Sequence, residues 1–183
     1  MPLEDEEFDI LSDERFMQDA LKEAWRAAEK GEVPVGAVIV REGRVIARGH
    51  NLRERLGDPT AHAEMLAMRE AAQVVGGWRL NGCTLYVTME PCPMCAGAAI
   101  QARLDRIVYG AADPKAGAAG SCVDLLSRDC FNHRVAVTGG VLAGKCAFVV
   151  QEFFRKLRAT GTEQDREPGK LPERGCHTGP DLI

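Results

Sequence analysis

Residues 83–110 read CTLYVTMEPCPMCAGAAIQARLDRIVYG. The first six residues alternate as a half-buried strand. Pro93 opens a helix expected over 93–102, since proline is favoured in a first helical turn. Residues 106–110 read as another strand. A strand, a helix and a strand in this order predict two parallel strands joined by a right-handed crossover. That arrangement sets the fold class as α/β.

The flanking sequence extends the same pattern. Residues 35–40 and 44–49 read as two strands, and Arg41-Glu42-Gly43 turns one into the other as a hairpin. Thr60 is placed to cap a helix over 61–75, which Gly76-Gly77 stops. Upstream, Phe16, Ala20, Leu21, Ala24, Trp25 and Ala28 recur at helical spacing. Ser12 reads as that helix's N-cap, Asp13 and Glu14 suit its first turn, and Gly31 ends it. Residues 134–138 read as a fifth strand and 142–159 as a last helix. The sum is a five-stranded mixed sheet covered by helices, with no internal repeat.

This body is expected over residues 12–160 as one domain. An acidic leader, 1–11, and a tail, 161–183, rich in Gly, Pro and charge, read as disordered. The chain has 183 residues, 45% of them hydrophobic and 27% charged, which suits a globular domain with its own core. No apolar run approaches the roughly 20 residues that span a bilayer. The N-terminus lacks the basic and apolar regions of a secretory signal, so the expected location is the cytoplasm. Seven cysteines, an odd number, fit reduced thiols better than a disulfide framework. Net charge is −4, but residues 1–14 hold seven acids and no Lys or Arg. The remainder carries 23 basic and 20 acidic residues and is mildly basic. Arg41, Arg44, Arg48, Arg53 and Arg55 bunch together, as do Arg155, Lys156 and Arg158. Such clusters suit phosphate, and equally a solvated polar face.

Two short strings carry the chemistry, Thr60-Ala61-His62-Ala63-Glu64 and Pro91-Cys92-Pro93-Met94-Cys95. They supply an imidazole, two thiols and a carboxylate. His62, Cys92 and Cys95 make three zinc ligands, and three ligands with a fourth position open define a catalytic rather than a structural site. Both strings fall at helix starts, where partial positive charge favours thiolates. No further short-spaced pair is formed by His50, His133, His177 or the other five cysteines, which argues against a closed structural site or a redox pair. Glu64 stands two residues from His62. It is either a helix-start carboxylate favoured by the dipole or the group that carries protons for a zinc-activated water. H-x-E followed by P-C-x-x-C is the signature of zinc deaminases acting on nucleobases.

Between about residues 15 and 160 the chain resembles the bacterial tRNA-specific adenosine deaminases of the cytidine deaminase superfamily. The resemblance is carried by residues 32–38, Gly49-His50-Asn51, 61–64, 80–98, 109–115, 117–121 and Asn132-His133-Arg134-Val135. It implies a three-layer α/β/α sandwich, a homodimer, and one zinc ion per subunit held by His62, Cys92 and Cys95. It implies that Glu64 shuttles protons while adenosine becomes inosine at the wobble position of a tRNA anticodon stem-loop. Asn51 matches a position that hydrogen-bonds the bound nucleoside. The loop that includes Asp113 and Lys115 matches one near the RNA backbone, and Phe153, Phe154 and Arg155 match a helix beside the anticodon loop. Bland alternatives stand for each: Asn51 and Asp113 as turn residues, the two phenylalanines as core. Two other functions are weighed against this one. One is deamination of a free base or nucleoside such as guanine or cytosine, and the other is a zinc-stabilised RNA-binding protein without catalysis. The leader and tail depart from the compact family pattern.

Overall fold

The computed structural model describes residues 3–164. Its elements are α1 (Leu3–Glu29), β1 (Gly36–Arg41), β2 (Arg44–His50), α2 (Arg53–Leu56), α3 (Ala63–Val75), β3 (Cys83–Met89), α4 (Pro93–Gln101), β4 (Arg106–Ala111), β5 (Ala136–Gly139) and α5 (Ala143–Gln164). The five strands form one sheet in the order β2-β1-β3-β4-β5. β1 runs antiparallel to both β2 and β3, while β3–β4 and β4–β5 are parallel. The sheet is therefore mixed, and the crossover expected from residues 83–110 is present as β3-α4-β4.

Alternation along each strand splits the core in two. Ala37, Ile39, Leu85, Val87 and Ile107 face α3 and α4, where Ala63, Ala67, Ala96 and Ala99 are buried. Val38, Val40, Tyr86 and Val108 face α1 and α5, against Phe16, Met17, Ala20 and Val149. This gives three layers. Small residues set the spacing: a Cβ on Gly36 would fall on the backbone of α1 at Ala20 and Ala24, and one on Gly49 on the backbone of α3 at Ala63 and Ala67. Both strands can lie this close to their helices only because no side chain intervenes. On the face that α1 covers, buried Asp13 accepts hydrogen bonds from Tyr86 Oη at 2.8 Å and from both Arg106 guanidinium nitrogens at 3.0 and 2.7 Å. That cluster fastens α1 to β3 and β4.

Several boundaries differ from the sequence reading. α1 reaches back to Leu3, so its backbone is helical through residues read as a loose leader, and Ser12 is not its N-cap. Acids crowd residues 4–9, and acids favour the positive end of a helix. Thr60 does not cap α3; its N–H and hydroxyl both donate to Asp58 Oδ1, and His62 is the N-cap. The hairpin turn is the two residues Glu42 and Gly43, both with positive φ, as the right-handed strand twist prefers. β5 begins at Ala136 rather than residue 134, and the single turn α2 has no counterpart in the reading. α5 continues to Gln164, past the expected end at 159. Of the tail read as loose, 161–183, residues 161–164 are helical as the end of α5, and 165–183 lie outside the described residues. Among the described residues no helix is long and apolar enough to cross a membrane.

Candidate active site

Two helix starts converge. β3 ends at Met89, and Glu90-Pro91 lead to Cys92, the extended N-cap of α4, with Pro93 in its first turn. His62, also extended, is the N-cap of α3. Cys92 Sγ lies 3.7 Å and Cys95 Sγ 3.6 Å from His62 Nδ1. The three donor atoms lie within 4.8 Å of one another, and among the described residues no other His, Cys, Asp or Glu joins the group. One imidazole and two sulfurs at such range fit zinc by donor chemistry and number, with a fourth position left to solvent.

An N-cap is ordinarily a residue whose side chain bonds the exposed N–H groups of the first turn. Neither His62 nor Cys92 makes such a bond. Asn51 does it for α3: its Oδ1 accepts the Ala63 N–H at 3.2 Å, and its Nδ2 donates to Val33 O at 3.2 Å. The His62 ring is thereby free to serve as a donor. Asn51 is buried and keeps one amide hydrogen and one lone pair beyond these two bonds.

Charge in the cluster is set by proximity. Cys92 is pushed down to about 3, first by the hydrogen bond from Cys95, with burial opposing it and His62 adding to it. Cys95 is pushed up, first because it donates to Cys92 and next because it is buried. The Cys92–Cys95 hydrogen bond raises one thiol as it lowers the other. His62 is raised, mainly by its bond with Cys92. Glu64 is only 4% exposed, and burial drives its carboxyl upward. It lies beside the three donors without belonging to their group.

These residues open into a pocket of about 210 Å³, lined also by Val35, Asn51, Arg53, Met89, Glu90, Asp113 and Ala116. A larger hollow between α1 and α5 is lined chiefly by apolar groups such as Leu21, Trp25 and Phe148 and holds no such cluster.

Two buried carboxylates shape the mouth. Glu32 Oε1 and Oε2 accept the N–H groups of Arg55 and Glu54 at 2.8 and 3.2 Å, which fixes α2. Glu90 Oε2 accepts the Asp113 N–H at 3.0 Å, and Oε1 accepts those of Ala119 and Ser121 at 2.9 and 3.1 Å. Burial alone would raise the Glu90 carboxyl; hydrogen bonds from Ser121, Asp113 and Ala119 together outweigh it and hold it below the usual range.

The site residues named from the sequence are thus distributed unevenly. His62, Glu64, Cys92, Asn51 and Asp113 line the pocket, and Cys95 lies buried beneath it. Asp113 Oδ1 accepts the N–H groups of Lys115 and Ala116, making the turn that the bland reading describes, yet the residue also faces the pocket. Lys115 is exposed and is not part of the lining. Phe153 and Phe154 pack edge to face at 5.4 Å on α5, and Arg155 is bonded to Glu152 at 2.9 Å. α5 packs on the α1 side of the sheet, and none of the three lines the pocket. The sequence reading left Glu90 and Glu32 without roles. An acid directly after an apolar strand and before Pro-Cys was the available signal for Glu90.

Residues 11–111 match the family model described as the cytidine and deoxycytidylate deaminase zinc-binding region, the class that this sheet and this donor set define. The tRNA-specific adenosine deaminase of Bacillus subtilis (strain 168) is 53% identical over 149 residues, covering 81% of this chain and 92% of that protein. The protein of the same name from Streptococcus pyogenes serotype M18 is 49% identical over 143 residues, or 78% and 90% of the two chains. A solved structure from studies of A-to-I editing by tRNA:A34 deaminases superposes with a TM-score of 0.71 at 47% identity, covering 74% of this chain and 98% of that one. Guanine deaminase from Bacillus subtilis superposes with a TM-score of 0.54 at 31% identity, over 86% and 97%. The chain belongs to the tRNA-specific adenosine deaminase family, within the zinc-binding deaminases.

Proposed function

We propose that this protein hydrolyses adenosine to inosine at the wobble position of a tRNA anticodon, with zinc held by His62, Cys92 and Cys95. The observation that carries the reading is Glu64, a buried non-ligand carboxylate in the same pocket as the three donors. A merely structural metal site has no use for it. When bound, zinc supplies the Lewis acidity that makes water nucleophilic near neutral pH. Glu64 takes a proton from the attacking water and gives it to the ring nitrogen beside C6 of adenine. It then moves the second proton to the exocyclic amine, which leaves as ammonia while the oxygen stays on C6. A carboxyl group raised by burial is suited to both halves of that exchange. Asn51 holds the base through its remaining amide hydrogen and lone pair. The base must leave its stack to enter so small a pocket, which costs least in a single-stranded loop.

The family relationship supports a homodimer and a cytoplasmic site of action. Gly97 on α4 has open space around it, and a second copy could approach there. Light scattering of the purified protein tests the dimer.

The guanine deaminase likeness makes a free base the second reading. Incubation with tRNA, free adenosine, guanine and cytidine separates the two. Inosine in tRNA, with the small substrates unchanged, is the expected result. Rapid turnover of guanine with tRNA untouched would replace the proposal. Retained zinc with no product from any substrate would leave an RNA-binding protein without catalysis.

A further inference from the structure

The pocket has a charge problem that one side chain solves. Its lining carries three acids, Glu64, Glu90 and Asp113, and among the described residues its only Lys or Arg is Arg53. A polynucleotide brings a phosphodiester on each side of the base it inserts. Those phosphates stay at the mouth when the base goes in, near a lining that carries these acids.

We infer that Arg53 binds the backbone phosphodiester flanking the extruded nucleotide at the mouth of this pocket. Arg53 is exposed, and among the described residues no carboxylate lies within ion-pair distance of its guanidinium. Its backbone, by contrast, is fixed. Arg53 opens α2, whose next two N–H groups are held by the buried Glu32 carboxylate. Leu52 N–H donates to Ala61 O at 3.1 Å, which ties the same segment to the residue before His62. A side chain with a free cationic head on an immobilised backbone, one residue from Asn51's neighbour and beside His62, is placed to receive an anion. Among the described residues that line the pocket, no other cation is placed to offset the repulsion from Asp113. Arg55, on the same turn, does not line the pocket and serves as the control.

The inference rests on the RNA deaminase reading, and its test keeps the two apart. Kinetics are measured on an anticodon stem-loop and on a set of stem-loops with a single methylphosphonate at each phosphate flanking the target adenosine. For the wild type, one neutralised phosphate raises KM about tenfold. Arg53→Ala raises KM about as much on the native stem-loop, leaves kcat within about twofold, and is indifferent to that same methylphosphonate. The slope of log(kcat/KM) against log salt falls by about 0.7 in Arg53→Ala, as loss of one contact to a single strand requires. Arg53→Lys recovers part of the loss, and Arg55→Ala keeps the sensitivity to the methylphosphonate. An active wild type with Arg53→Ala unchanged in KM and salt slope overturns the contact alone. A loss in Arg53→Ala that adds to the methylphosphonate loss overturns it too. A wild type inactive on every stem-loop overturns the reading beneath it.

Discussion

The Glu90 carboxylate fills the space that a side chain on residue 117 would need. A Cβ added to Gly117 would fall on Glu90 Cδ and Oε2. Gly117 does not owe its identity to a left-handed backbone, since its φ is ordinary. The loop must close over a carboxylate, and only glycine leaves room. Gly117→Ala therefore pushes the carboxylate off the N–H groups of Asp113, Ala119 and Ser121. Losing one such bond to a charged acceptor costs about 1.5–3 kcal/mol of loop order. KM for an anticodon stem-loop should rise by roughly tenfold or more, with zinc content unchanged. Glu90→Gln, which keeps one acceptor oxygen, should fall between the wild type and Gly117→Ala in the same kinetic assay.

Gly49 answers to backbone rather than to a side chain. Its missing Cβ lets β2 touch α3 at Ala63 and Ala67, directly after His62. Neither atom can rotate away. Gly49→Ala should cost about 3 kcal/mol in a urea titration, the upper range for overpacking. It should also lower zinc stoichiometry under conditions where the protein is still folded, because the strain is applied where α3 presents His62. Full zinc occupancy in a destabilised Gly49→Ala would show that the strain relaxes elsewhere.

The sequence discloses the donors and the sheet because each has a local signature. Strand periodicity and a proline at a helix start identify β3-α4-β4, and His62, Glu64, Cys92 and Cys95 stand at fixed short spacings. What stays hidden acts across long separations. Asn51 caps a helix that starts twelve residues later, and Glu32 holds the backbone of residues 54 and 55. Asp13 reaches Arg106 across 93 residues. None of these bonds leaves a periodic trace. The misplaced cap has the same origin: Thr60 is a good capping residue by type, but Asn51 already satisfies the α3 N–H from outside the helix. Phe153 and Phe154 differ again, since their match is to a helix beside the RNA loop, and they lie on α5 outside the pocket lining.

Ligand and proton carrier should separate by mutation. Cys92→Ser removes a sulfur donor, and purified protein should hold much less zinc by elemental analysis. Glu64→Gln keeps the size of the side chain and touches no donor role. It should retain stoichiometric zinc and lose about 10²–10⁴ in kcat, the range for a positioned general acid–base. An active Glu64→Gln enzyme would remove Glu64 from the mechanism.

The buried thiols should make the protein sensitive to alkali. Cys146 is 1% exposed against β4, and burial pushes it up to about 11, while Cys83 is raised for the same reason. Both are acids whose neutral form the fold prefers. Their contribution is therefore complete below the unfolded-chain value near 8.5–9 and is lost as pH rises toward 11. In that window the unfolded chain ionises and the native one does not, so stability falls with pH. Urea midpoints taken from pH 7 to 10.5 should be level at first and then decline. Cys146→Ala, compared with its own midpoint at pH 7, should decline less steeply. Alkylation at pH 8 gives an independent reading, because Cys122 and Cys130 are exposed and should react before Cys83 and Cys146. Equal slopes in the wild type and Cys146→Ala would mean that Cys146 ionises as readily inside the fold as outside it.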